Sequence, residues 1–146
     1  MAILQVEKSV TMNRIPSVLL VAAMLLLPHP SGAQKIELTN DFVTSVAVDS
    51  RGDIWVGTDE GLNRYDGIRS NSYYKHSSGL GSNQVNFVFA DRERPMVWVA
   101  SRYGGLNGID CLTGEFIRYA FSQEDPGSLV NDDINYIDQD EQGNIW

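Results

Sequence analysis

From residue 43 onward, apolar and polar residues alternate in short bursts that come in sets of four. Over 43–49, Val43, Ser45 and Ala47 alternate with Thr44, Val46 and Val48, the period-two pattern of a strand with two distinct faces. Ser50-Arg51-Gly52-Asp53 supplies a turn, and a second strand is predicted over 54–58. Asp59-Glu60-Gly61 leads into a third over 62–65. Asp66-Gly67 then turns the chain into an outer strand that runs through Tyr73 and Tyr74, since glycine accepts the positive φ of a tight turn. The same order returns over 85–90, 97–101, 106–110 and 115–119, with Leu112-Thr113-Gly114 joining the last two. After the N-terminal region, no stretch sustains apolar residues at i, i+3 and i+4, so helices are not predicted there.

These sets are copies of one unit. Val43, Asp49, Trp55 and Gly61-Leu62-Asn63 match Val85, Asp91, Trp98 and Gly105-Leu106-Asn107 in order. A third copy opens at Ile134, passes Asp140, Gly143 and Asn144, and reaches Trp146. The tryptophans recur at intervals of 43 and 48 residues, near the ~40–50-residue period of β-propeller blades. A four-stranded sheet repeated in this way must cover both faces with neighbouring sheets, and radial packing does so. The fold predicted is therefore all-β, an incomplete β-propeller. Residues 34–42 lead in, 43–84 and 85–133 form two blades, and 134–146 start a third. Because Trp146 falls inside a predicted strand, at the position expected to be its most buried, the chain is expected to be a piece of a longer protein.

The N-terminal region is of another kind. Val18 to Leu27 form an unbroken apolar run, preceded by Arg14 and followed by Pro28, Pro30, Ser31, Gly32 and Ala33. This is the layout of a signal peptide over 1–33, with cleavage expected after Ala33 and translation starting at either Met1 or Met12. Ten residues of helix reach only about half of a ~30 Å hydrocarbon core. The chain carries 19 acidic and 11 basic residues, a net charge of −8. Loss of 1–33 removes Glu7, Lys8 and Arg14, leaving the remainder more acidic still. With no compensating basic cluster, nucleic-acid binding is not expected. An exported chain with one cysteine, Cys111, forms no internal disulfide.

The stretch from Asp49 to Gly67, with Gly52, Ile54-Trp55-Val56-Gly57-Thr58, Gly61-Leu62-Asn63 and Tyr65-Asp66-Gly67, resembles the two-component regulator propeller repeat. The second unit departs from it. Arg92-Glu93-Arg94-Pro95 stands for the glycine turn, Ala100-Ser101 for Gly-Thr, and Gly108-Ile109 for the usual Arg-Tyr. Residues 123–132 look like the linker between blades of that family. The resemblance implies the periplasmic sensor part of a hybrid two-component histidine kinase of Bacteroides type. In such proteins propellers bind breakdown products of complex carbohydrates and pass a signal across the inner membrane to a phosphorelay. It also implies a small oligosaccharide ligand, the remaining blades of the same propeller as partners, and a homodimer of the full-length protein.

Candidate residues divide between structure and binding. Trp55, Trp98 and Trp146 sit at fixed places in apolar strands and are expected to pack between blades. Gly57, Gly61, Leu62, Asn63, Asp66, Gly67, Gly105, Leu106 and Asn107 complete the repeat. Tyr73, Tyr74 and Tyr103 are the exposed aromatics that could contact a sugar. Asp49, Asp91 and Asp140 are expected to cap turns through backbone N–H groups. Residues 138–145 have the oxygen spacing of a calcium loop, but Ala47 and Phe89 occupy its first position in the other copies, so no metal is expected. His76 is the one histidine beyond the signal peptide, and no nucleophile, base and carboxylate can be assembled around it. No cofactor and no catalysis are expected of this chain; the rival readings are a propeller lyase or hydrolase and a surface interaction scaffold.

Overall fold

The computed structural model describes residues 37–146, so the expected signal peptide lies outside the described residues. Two antiparallel four-stranded sheets follow one another along the chain. The first contains β1 (Val43–Val48), β2 (Ile54–Thr58), β3 (Gly61–Tyr65) and β4 (Ser70–Tyr73). The second contains β5 (Val85–Ala90), β6 (Met96–Ser101), β7 (Gly105–Asp110) and β8 (Phe116–Tyr119). Each is a simple meander in sequence order. Between them lies α1 (Lys75–Ser78), one short helical turn that the strand pattern did not predict, ended by Gly79 at φ 89°.

The registers of the two sheets agree in detail. Trp55 pairs with Ala47 and Arg64, and Trp98 with Phe89 and Gly108. Each first strand carries a bulge at the same place, between Val43 and Ser45 and between Val85 and Phe87, leaving Thr44 and Asn86 as the extra residues. The β3–β4 connection is not the two-residue turn that Asp-Gly suggested. Tyr65 pairs with Ser70, so Asp66 to Arg69 form a four-residue loop. Gly67 takes φ 91° there, and Asp66 accepts hydrogen bonds from the backbone of Ile68 and Arg69.

The main core lies between the two sheets. Trp55, Leu62, Leu80, Val85, Val88, Val97, Val99, Ile109 and Cys111 are all buried together. At about 1.5–3 kcal/mol for each large apolar side chain removed from water, this interface dominates the cohesion of the pair. Gly57 allows the sheets to meet: a β-carbon there would lie 2.6 Å from Val85 Cγ1 and 3.0 Å from Val88 Cγ2. Polar stitches cross the same gap. Ser45 Oγ accepts from Val88 N at 3.1 Å, and Arg51 donates to the Cys111 carbonyl at 2.8 Å.

Each sheet also fastens the segment that leads into it. Asn63, buried on β3, accepts from Thr39 N at 3.0 Å, and Asn107, buried on β7, accepts from Gly81 N at 2.9 Å. A buried amide must find partners. These asparagines find them in the incoming strap and in the Val56 and Val99 carbonyls.

The third copy begins to form over 134–146. Ile137 is buried against Trp98 and Ala100, and a bridge joins Gln139 to Ile145. Trp146 departs from its expected burial, being 77% exposed. Trp55 is covered by Tyr73 from its own fourth strand and by residues of the following sheet. Among the described residues nothing equivalent reaches Trp146.

Candidate functional site

The three recurrent aspartates do more than cap turns. Asp49 Oδ1 accepts from Arg51 N and Asp53 N, while its Oδ2 accepts the Trp55 indole N–H at 2.9 Å. Asp91 repeats this with Glu93 N, Arg94 N and the Trp98 indole, also at 2.9 Å. Asp140 does so with Gln142 N, Asn144 N and the Trp146 indole, again at 2.9 Å. The first and second loops differ by one residue between Asp and Trp, yet both close the same clasp.

Such an arrangement stabilises the charged carboxylate. Burial pushes the Asp49 and Asp91 pKa values up, but the bonds from the indole and the backbone outweigh it, and both end below the usual carboxylate range. For Asp140 the side chains of Asn144 and Trp146 lower the value to about 2. A carboxylate held ionised in this way is a poor general acid or base near neutral pH.

An arginine lies over the indole in both complete sheets but comes from different places. Arg64, on β3, stands 5.3 Å from the Trp55 ring and donates to Asp53 through Nε at 2.8 Å. Its counterpart on β7 is Gly108, which is closely surrounded by Trp98, Ile117 and Met96. In the second sheet Arg94 from the β5–β6 loop takes the place over Trp98, 5.5 Å from the ring, and donates to Asp91 at 2.8 Å. The second sheet thus has no arginine at the β7 position beside its indole but has one that reaches the indole from the β5–β6 loop.

The tyrosines singled out as exposed sugar contacts are not alike. Tyr73 is only half-exposed and stacks on Trp55 at 5.7 Å, and it also meets Phe116 of the next sheet in a tilted contact at 5.7 Å. It is committed to packing, because an outer-strand side chain facing the next sheet is covered by it. Tyr74 is likewise half-buried, at the start of α1 and stacked on His76 at 5.4 Å. Tyr103 stays 65% exposed.

The remaining repeat residues serve the fold. Trp55, Leu62, Asn63 and Asn107 are fully or almost fully buried, and Trp98 is 5% exposed. Leu106 is half-buried beside Trp98. Gly61 and Gly105 take positive φ at the start of β3 and β7, where a β-carbon on Gly105 would strike the Tyr119 carbonyl.

A cleft of about 720 Å³ opens along the outer face of the second sheet, walled by Trp98, Leu106, Arg118, Tyr119, Leu129 and Ile145. Trp98, Leu106 and Tyr119 correspond by register to Trp55, Leu62 and Tyr73. Between the first two sheets that same space is filled by Ile109, Cys111 and Phe116. The cleft beside Trp98 is thus the equivalent, by register, of the space beside Trp55 that residues of the second sheet fill.

Cys111 is buried, and burial together with the Asp49 charge pushes its thiol up to about 12. Among the described residues, no group of three or more His, Cys, Asp or Glu is placed to hold a metal ion. No described helix is long and apolar enough to cross a membrane.

Two consecutive four-stranded meanders, packed face to face in one register and leading into a third, are blades of a β-propeller. Residues 37–60 match the family model described as two component regulator propeller. It is similar to the extracellular domain of a hybrid two-component system from B. thetaiotaomicron, with 35% identity over 77% of the chain and a TM-score of 0.70. A second extracellular domain of a hybrid two-component system from B. thetaiotaomicron aligns with 79% of the chain at 21% identity and a TM-score of 0.60, a likeness of fold. PorZ, a surface component of the type-IX secretion system of Porphyromonas gingivalis, shares the fold at 20% identity over 68% of the chain, with a TM-score of 0.50. The chain spans 17%, 16% and 15% of the lengths of these three solved chains. No match was found among curated proteins.

Proposed function

We propose that this chain is a ligand-sensing stretch of the exported propeller of a transmembrane two-component sensor, that it recognises a small oligosaccharide, and that it carries no chemistry of its own. The observation that carries the reading is the 35% identity, over most of the described residues, to the extracellular domain of a hybrid two-component system. On this reading the propeller lies in the periplasm and the full-length protein is anchored in the inner membrane, where a homodimer passes the signal to a phosphorelay. The cleft beside Trp98 and Tyr119 receives the next blade of the same propeller. The fixed, ionised state of the clasp aspartates supports binding over catalysis, because no carboxylate among them is poised to exchange a proton.

Two measurements test this. The first is the coding frame beyond Trp146: further repeats followed by a membrane helix and a histidine-kinase core support the sensor, and a stop codon there overturns it. The second is the melting temperature of the protein in the presence of neutral and acidic oligosaccharides. A saturable rise with at least one of them is expected, and no rise with any overturns the ligand class.

A further inference from the structure

The β2–β3 and β6–β7 turns occupy the same end of their sheets, since Asp59 N donates to the Phe42 carbonyl and Arg102 N to the Gln84 carbonyl at 2.9 Å. They differ in length and charge. The first passes from Thr58 to Gly61 through Asp59 and Glu60; the second passes from Ser101 to Gly105 through Arg102, Tyr103 and Gly104, one residue more. The extra residue places Tyr103 in the left-handed region at φ 57°, where it is the sole non-glycine residue of positive φ among those described. Its ring stands 65% exposed with the Arg102 guanidinium over it at 5.3 Å.

This corner is closely packed. Gly104 is wedged against Ser82, where a β-carbon would lie 2.6 Å from the Ser82 nitrogen, and its carbonyl accepts from Arg118 Nε at 2.9 Å. Arg51, Arg64, Arg92, Arg94 and Arg118 all spend side-chain N–H groups on protein acceptors. Among the described residues, the Arg102 guanidinium has the tyrosine ring as its contact and gives no hydrogen bond or ion pair.

We infer that the Arg102–Tyr103 turn is a saccharide contact that selects an oligosaccharide bearing a carboxylate or sulfate. This rests on the oligosaccharide reading above and adds to it a place and a charge. A sugar ring offers an apolar face that stacks on an exposed aromatic held in a fixed orientation. The planar guanidinium beside it offers paired donors that match an oxyanion. The acidic Asp59-Glu60 turn of the neighbouring blade repels the same anion, so the charged end of the ligand is directed to the second blade.

The test is calorimetric titration of the full chain and two variants with hexagalacturonate, a chondroitin sulfate hexasaccharide and neutral maltohexaose. Arg102→Gln is expected to weaken binding of an anionic probe at least tenfold and to remove most of its salt dependence. Tyr103→Gly, which suits the left-handed backbone and so keeps the turn, is expected to weaken it by a similar factor. If an anionic probe binds and both variants bind it like the parent, or if maltohexaose binds as well as the anionic probes, the inference is overturned while the oligosaccharide reading stands. If none of the three binds the parent chain, both fall together.

Discussion

The indole N–H of Trp98 donates to Asp91 Oδ2 at 2.9 Å, tying the second strand of the blade to the end of its first. The bond is buried, and Asp91 also receives Glu93 N, Arg94 N and the side chain of Gln139 from the third repeat. Replacing Asp91 with alanine strands several donors at once. The expected loss is about 2–4 kcal/mol, from unsatisfied buried donors and a lost charge-assisted bond. Asp91→Asn keeps an acceptor and is expected to cost less. Urea unfolding of the three proteins, compared at their midpoints, checks both the size and the order.

Acid should reveal the clasps. The folded-state pKa of Asp49, Asp91 and Asp140 lies below that of an unfolded aspartate, so the unfolded chain takes up protons first as pH falls. Their contribution is fully present above about pH 4 and declines as pH drops toward the folded-state values. Stability measured from pH 7 to pH 2 is expected to be flat near neutrality and to fall steeply in acid. Asp91→Asn should flatten that fall; an unchanged acid slope would mean that the clasp is not its source.

Gly57 sets the distance between the blades. Alanine there drives a β-carbon into Val85 and Val88 and is expected to destabilise by about 1–3 kcal/mol through overpacking. Val85→Ala alone leaves a hole, but combined with Gly57→Ala it makes room for the added methyl group. The double variant is therefore expected to be more stable than the sum of the single changes predicts, which a double-mutant cycle reads directly.

Cys111 should be silent while the protein is folded. A buried thiol with a pKa near 12 presents almost no thiolate at pH 8. Reaction with a disulfide reagent is expected to be slow in buffer and fast in denaturant. Rapid native labelling would show that the interface between the blades opens readily.

The blades were legible because strand alternation and turn residues recur together at a fixed spacing, and that coincidence survives the loss of any one signal. Asp91 illustrates it: its loop lost the glycine and gained a residue, yet the carboxylate still reaches the indole. The indole partner itself was missed, although the six- or seven-residue interval from Asp49 to Trp55 and from Asp91 to Trp98 contained it. Exposure was harder to read. Tyr73 looked like Tyr103 in sequence, but one lies on an outer strand that the next blade covers and the other tops an enlarged turn. That Arg94 and Gly108 both flank Trp98 was also invisible, since positions 14 apart come to the same indole only after the hairpin forms. In the sequence they read as two unrelated departures from the repeat.

The straps held by Asn63 and Asn107 have a consequence for descent. Each asparagine binds the segment that precedes its own blade, so the fastening of a repeat lies within the repeat. A stretch of gene from one strap to the end of its fourth strand encodes a part together with its own attachment. Copying that stretch in tandem yields a longer array without a matching change elsewhere, and a single copy can then carry a different turn, as at Arg102 and Tyr103, while its neighbours keep the frame.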